Sequence, residues 1–315
     1  MLEFSPPTTP ETESDVKRLL TEIENLCQGR FFCFYQNQAA SEEIDRAIVL
    51  KARLALKELG HVEKLAILVD SPGGDADAAF HLVRAFRQHA DNVEALVVNW
   101  AKSAATFVCL GADKILMGEN AELGPLDVQL TDPRGSLMRK SALNVFKSLE
   151  YLQRYALDSL DLAALLLMMK GNMDIPFALE KALPFVSCIV SPLYNQVNPL
   201  ELGEARRHLA VGEEYCRRIM NRYGYSSLPN TRVVQIVNKL VWEYPSHSFV
   251  IDLVEAQEIG LLAEELDDVR TRLCEELLSK VKGCFGFVPR ENQIMPPPED
   301  EPQEESREAV DGYEA

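Results

Sequence analysis

Apolar residues return along the chain in two rhythms, and their alternation predicts the elements. In residues 15–28, Val16, Leu19, Leu20, Ile23 and Leu26 recur at helical spacing, and residues 30–35 (RFFCFY) form a short aromatic run suited to a buried strand. A second amphipathic helix is expected over residues 41–59, opening at Ser41, where Glu42 and Glu43 suit the positive end of a helix dipole. Residues 65–69 (LAILV) are a continuous apolar strand, SPGG a turn, and residues 76–89 a helix that turns Ala78, Ala79, Leu82, Val83 and Phe86 inward. Residues 93–99 (VEALVVN) read as another strand, followed by a Ser-Ala-Ala-Thr turn and a small-residue helix to about Gly111; residues 114–117 (KILM) are a third. Strand, helix, strand, helix, strand at this spacing predicts an α/β fold of repeated βαβ units, with a parallel sheet and right-handed crossovers. Helical patterns over 136–170 and 199–242 make a helical insertion at about 136–242.

The two ends read differently. Residues 1–14, rich in Pro, Thr, Ser and Glu, read as a disordered leader, residues 15–285 as the folded domain, and residues 286–315, first proline-rich and then acidic, as a disordered tail. At 315 residues, 47% hydrophobic and 26% charged, the composition is that of a soluble globular protein with one large domain and appendages. The net charge of −17, of which −8 falls in residues 291–315, leaves no broad basic surface for phosphates, so a nucleic-acid binder is not expected. The acidic tail suits a basic partner or an active-site chamber. The strongest apolar run, residues 162–169 between Asp161 and Lys170, falls short of a bilayer's span of about 20 residues, so no membrane span is expected. The N-terminus lacks the basic and apolar parts of a secretory signal, which places the protein in the cytoplasm as an expectation. Seven cysteines without a CxxC pair fit reduced thiols better than a disulfide framework or a metal site.

Three turns stand where open α/β sheets bind ligands, just past the C-terminal ends of strands. Ser71-Pro72-Gly73-Gly74 enters a helix; its adjacent glycines leave backbone N–H groups uncovered beside the positive helix terminus, a setting for an anion or a developing oxyanion. Taken singly it is an ordinary βα turn. Ser103, in Ala101-Lys102-Ser103-Ala104-Ala105-Thr106, sits at a sharp helix start among small side chains, where a nucleophile can be exposed near backbone donors. Alone, it reads equally as a helix cap. The third segment, from Asn120 to Gln129, is a loop with a Gly-Pro corner.

Together, in this order and spacing, the turns resemble the superfamily of the Clp protease proteolytic subunit and signal peptide peptidase A, and within it most the serine dehydrogenase proteinase family. VDSPGGDADAA resembles that family's TPGG segment, AKSAAT its nucleophile turn AMSGGT, ADKILMGENAELGPLDVQL its ADEIVM followed by LGPxDPQ, and YPSHSFVIDLVEAQEIGL its THDYPIT segment with EEAKELGL. The likeness covers roughly residues 65–129 and returns at 244–262. It implies a Clp/crotonase-like core with additional helices, a serine peptidase acting on peptides or unfolded protein, homo-oligomers and no cofactor. Carried across, it puts the nucleophile at Ser103 and the oxyanion-binding amides at Gly73 or Gly74 together with Ala104. For the base it leaves two residues open. His247 is the one histidine of five inside a matched motif, and Lys147 follows Ser103 by 44 residues on a predicted helix. Asp127, near where Clp subunits carry their histidine, is a candidate to orient a basic partner. Ala104 and Ala105 replace the family's Gly-Gly, Lys102 its Met and Val128 its Pro. Two other readings share the fold: a catalytically inactive Clp-like assembly protein, and a crotonase-type enzyme acting on acyl-CoA.

Overall fold

The computed structural model describes residues 2–126, 129–131 and 139–289. Its centre is a seven-stranded sheet in the order β1 (Leu2–Phe4), β11 (Cys284–Gly286), β2 (Arg30–Tyr35), β3 (Val62–Asp70), β4 (Ala90–Val97), β6 (Lys114–Met117), β10 (Ala263–Glu265). From β2 to β10 the strands are parallel, and β11 and β1 add antiparallel at one edge. The α/β class with a mostly parallel sheet is the one that the strand and helix rhythm predicts.

Register sorts the strand residues onto two faces. Phe32, Ile67, Ala95, Ile115 and Ala263 lie side by side on one, and Cys33, Leu68, Leu96 and Leu116 on the other. Both sets are apolar because both faces are covered, as parallel sheets require. The first face packs under α2 (Arg46–Leu59), α3 (Ala76–His89) and α4 (Ala104–Leu110), with α7 (Pro199–Arg222), α8 (Asn230–Asn238) and α9 (Leu253–Ile259) in the same core. The second packs under α1 (Pro10–Cys27) and α10 (Asp268–Lys280). A two-residue pair, β5 (Trp100–Ala101) with β7 (Glu122–Leu123), and an antiparallel pair, β8 (Gln129–Thr131) with β9 (Arg139–Ser141), stand outside the main sheet.

Several expectations change. The stretch read as a leader is ordered: Leu2–Phe4 pairs with Cys284–Gly286, and Thr9 caps α1 ahead of Pro10. Its composition conceals a strand whose partner lies at the far end of the chain. The second helix begins at Arg46, capped by Asp45, because Ser41 ends a 3-10 turn in the left-handed region (φ 55°). The domain runs past residue 285, since Phe287 is buried and the Val288 carbonyl accepts Arg30 Nη2–H at 2.7 Å; residues 290–315 of the expected tail lie outside the described residues.

Within the insertion, α5 (Ala142–Gly171) turns back into α6 (Ile175–Tyr194), a helix absent from the sequence reading because Pro184 and Pro192 sit inside it. α6 rests on α5 through Ala178 and Ala182 against Ala164, leaving Ile175, Phe177, Leu183 and Phe185 exposed. It, rather than residues 162–169, is the most apolar long segment: by length and composition it could cross a bilayer, with a mean hydropathy of 1.3 and 22% of that stretch buried.

The aromatic strand anchors the first core. Phe32 is fully buried and meets Phe86 and Phe285 edge-on, with ring centroids 5.3 and 5.2 Å away. Phe32→Ala is expected to cost about 3–5 kcal/mol, read as a lower urea midpoint at unchanged slope.

Candidate active site

Past the C-terminal ends of β3 and β4 the chain builds a second, short ladder. Ser71 pairs with Ala101, Ala101 with Leu123, both parallel, and Leu123 with Ile251 antiparallel. The bonds include Lys102 N–H to the Ser71 carbonyl at 3.0 Å and Leu123 N–H to the Ile251 carbonyl at 2.9 Å. All four segments that carry the family resemblance therefore lie edge to edge. Gly73, Ser103 and Pro125 each follow their paired residue by two positions, so they leave the ladder at one end; the antiparallel segment containing His247 enters at that same end.

The contact between the first two turns is close. A Cβ at Gly73 would lie 2.8 Å from Ser103 Cβ and 3.0 Å from Ala104 N, and one at Gly124 would lie 3.1 Å from Ser103 N. Gly73, at φ 104°, is also in a conformation that L side chains avoid. Only glycine allows the SPGG corner and the LGP loop to press on Ser103 from both sides.

Ser103 itself has φ 50° and ψ −120°, and Ala105 N–H donates to the Lys102 carbonyl at 2.9 Å across it. This is a type II′ turn with a non-glycine at its first central position, a strained placement of about 1–3 kcal/mol. Ser103 precedes α4 as a cap residue would, yet its hydroxyl makes no capping bond. It is the one partly exposed residue in an otherwise buried run from Ala101 to Leu110. Thr106 holds the strained turn: its Oγ1 lies 2.8 Å from the Ala101 carbonyl and 2.9 Å from that of Gly124, and accepts Gly124 N–H at 3.2 Å.

The backbone donors differ. Gly73 N–H donates to Ser71 Oγ at 3.1 Å. Ala104 N–H opens α4 and has no carbonyl one turn back. Gly74 (φ 147°) bridges to Ile44, whose N–H donates to the Gly73 carbonyl at 2.7 Å and whose carbonyl accepts Asp75 N–H at 2.8 Å; a Cβ at Gly74 would strike that carbonyl at 2.3 Å. Asp75 caps α3, whose N-terminus adds positive potential.

Lys102 is buried, and its Nζ donates to the Leu123 carbonyl at 3.2 Å and pairs with Glu122 at 2.5 Å, so its charge is committed to β7 rather than to Ser103. His247 is half-buried in the segment between Tyr244, whose ring packs on Phe249 at 4.7 Å, and Ile251. Lys147 is half-buried in the second turn of α5, next to Phe146, which meets Trp242 edge-on at 5.6 Å; its helix takes no part in the ladder. Asp127 lies outside the described residues. Six of the seven cysteines are buried, and burial pushes the Cys33, Cys109 and Cys216 thiols up, away from nucleophilic use.

Behind the corner sits a buried polar group that sequence patterns did not mark. Asp70 accepts Trp100 Nε1–H at 3.0 Å on Oδ1, while Oδ2 is buried without a hydrogen-bond partner among the described residues. Burial pushes this carboxyl up to about 6, against the pull of hydrogen bonds from Asn99 and Trp100. Gln36, Ser71 and Thr106, whose side chains hydrogen-bond around these turns, were likewise not singled out. Their one available signal is position, at the carboxyl ends of parallel strands or inside the matched AKSAAT turn.

With this geometry the comparison with known proteins is direct. Residues 32–150 match the family of ClpP-like SDH-type serine proteinases. That match takes in Gly73, Gly74, Ser103, Ala104 and Lys147 and stops short of His247. The uncharacterized protein MJ0137 of Methanocaldococcus jannaschii is 40% identical over 90 residues, 29% of this chain and 29% of that protein; MJ1495 of the same organism is 32% identical over 90 residues. The chain thus aligns with less than a third of the length of these relatives. Among solved structures, ClpP1 from Listeria monocytogenes shares 12% identity over 79% of this chain and 99% of its own, with a TM-score of 0.38. The membrane-bound stomatin-specific protease 1510-N shares 20% over 44% of this chain and 64% of its own, with a TM-score of 0.25. The ClpP-like serine proteinase resemblance read from the motifs and the family match agree.

Because its folded-state carboxyl is raised, Asp70 favours the native state while protonated, and that contribution fades as pH rises from about 4 through about 6. Asp70→Asn is expected to remove this decline and to gain roughly 1–3 kcal/mol at pH 7. Thermal melts of both proteins between pH 4 and 8 check it; a parallel pH dependence in the two would refute it.

Proposed function

We propose that this chain is a serine peptidase that cleaves peptide bonds through an acyl-enzyme on Ser103. The observation that carries the reading is the Ser103 turn: a strained serine at a helix start, its hydroxyl unused as a cap, wedged against a glycine corner and followed by the first amide of α4, which has no intrahelical carbonyl to pair with. Its family match to serine proteinases supports the reaction class.

Ser103 Oγ attacks the scissile carbonyl carbon as its proton passes to a base, and the carbonyl electrons move onto oxygen. The resulting oxyanion is met by the Ala104 N–H and an amide of the Gly73–Gly74 corner, and losing one such donor typically costs about 3 kcal/mol of barrier. The tetrahedral adduct collapses, the amine leaves with the proton from the base, and water then hydrolyses the ester by the same path in reverse. His247 is the better base. Its segment adjoins the Leu123 strand, which adjoins that of Ala101, so Ile251 and Ala101 lie two ladder steps or about 10 Å apart, and His247, four residues before Ile251, lies at the end where Ser103 leaves the ladder. Lys147, on α5, has no such tie.

Self-assembly belongs to the same reading. Tyr151, Leu157, Leu162 and Met169 of α5 and Ile175, Leu183 and Phe185 of α6 are each at least half exposed, and large apolar side chains left in water favour association. Burial against further copies would cover it. Light scattering of the purified chain is expected to show an oligomer, which Leu162→Asp with Phe185→Asp breaks while helicity stays. A wild type that is monomeric at micromolar concentration refutes the assembly.

The activity is tested with a fluorophosphonate followed by peptide mass spectrometry. The folded chain is expected to carry the adduct on Ser103, the heat-unfolded chain and Ser103→Ala none. His247→Ala is expected to slow labelling at least about 100-fold, in the range of a general base, and Lys147→Ala far less. No adduct on the folded wild type would leave a non-catalytic Clp-like protein.

A further inference from the structure

Lys102 opens the turn that carries Ser103 and is 9% exposed. Its main chain is taken up locally: the N–H donates to the Ser71 carbonyl at 3.0 Å, and the carbonyl accepts Ala105 N–H at 2.9 Å. Its side chain leads elsewhere. A Cβ at Gly124 would lie 2.9 Å from Lys102 Cδ, so the stem passes over that glycine, and Nζ ends 3.2 Å from the Leu123 carbonyl. That carbonyl faces the segment beyond β7, because it also accepts Ile251 N–H at 3.2 Å. A carbonyl oxygen has two lone pairs and can take both donors. The lysine amine therefore lies at the seam between β7 and the segment that runs from His247 to Ile251, and one carbonyl oxygen joins that segment to the nucleophile turn.

A second observation concerns cost. Taking an ammonium out of water is unfavourable, and an apolar side chain of similar length would cover Gly124 without that loss. Packing alone thus favours a residue such as Met. What the amine adds is a charge-assisted bond to the Leu123 carbonyl, with half-exposed Glu122 as its counter-ion at 2.5 Å.

We propose that Lys102 is a positioning residue: through the Leu123 carbonyl it holds the His247 segment in place relative to Ser103, and it exchanges no proton itself. This rests on the serine peptidase reading with His247 as the base. The experiment is a double-mutant cycle on the full chain, with Lys102→Met, His247→Ala and the two together. It reads the rate of fluorophosphonate labelling at Ser103, kcat and KM for p-nitrophenyl butyrate, and the thermal midpoint. With His247 present, Lys102→Met is expected to slow labelling and kcat about 10- to 100-fold with KM within about twofold, because a displaced base costs rate rather than binding. With His247 absent, the same substitution is expected to change either rate less than about threefold, because groups that act as a unit are not additive. The thermal midpoint should stay or rise, since Glu122 keeps its contact with water. Equal rate losses with and without His247 would reduce Lys102 to a structural role and overturn the proposal. So would a Lys102→Met variant as fast as the wild type, or the failure of both Lys102→Met and Lys102→Leu to fold. A His247→Ala variant that labels at the wild-type rate would remove the base and this proposal with it, leaving the peptidase reading in place. Absence of wild-type labelling would overturn both.

Discussion

The molecule turns on one steric contact, that of Gly73 against Ser103. At 2.8 Å from the serine Cβ and 2.6 Å from the Lys102 carbonyl there is no room for any side chain on the corner, and the Ser103 backbone on the other side is held at φ 50°. Neither half is stable by local preference. Each persists because the surrounding ladder over-determines it. The Ser71–Ala101–Leu123–Ile251 pairing fixes the strands, Thr106 ties the serine turn to the LGP loop, and Lys102 braces β7.

The same region accumulates groups that an ordinary core would avoid. Asp70 is a buried carboxyl with one unsatisfied oxygen, Gln36 a buried amide with one unsatisfied nitrogen, and Ser103 a strained non-glycine. They cluster at the carboxyl ends of β2, β3 and β4, while the strand interiors are filled with Phe32, Ile67, Leu68, Ala95 and Leu96. Local rules broken in one place and obeyed elsewhere are the usual trace of a site, since stability is given up where chemistry needs a fixed dipole. The pair of buried Lys102 with half-exposed Glu122 belongs to this set. Its charges are used to hold a strand, which gives Lys102 a role without making it a base.

Periodicity was enough wherever burial of the element followed from its own residues. The strand Arg30–Tyr35, the helix Ala76–His89 and the strand Lys114–Met117 have the bounds their patterns predict. It failed where partners are distant or local signals conflict. Leu2–Phe4 of the leader is a strand because of Cys284–Gly286, Ser41 lost the helix start to Asp45, and two interior prolines concealed α6. Of the candidate site, Ser103, Ala104 and the glycine corner were legible as turns of the right type. That they touch was not, because the contact spans 30 residues of chain between Gly73 and Ser103.

By itself, then, the sequence determined the alternation of strands and helices, the apolar faces that cover the sheet on both sides, and the turn chemistry at three strand ends. These depend on spacing and on side-chain volume, which are local. Only the tertiary structure decided which turn presses on which, that the Ser103 hydroxyl goes unused as a cap, that the Gly73 amide is taken by Ser71 and the Lys102 amine by β7. A hydrogen bond or a steric contact selects its partner by position in space, and position is supplied by the register of the ladder, a property no stretch of the chain holds alone.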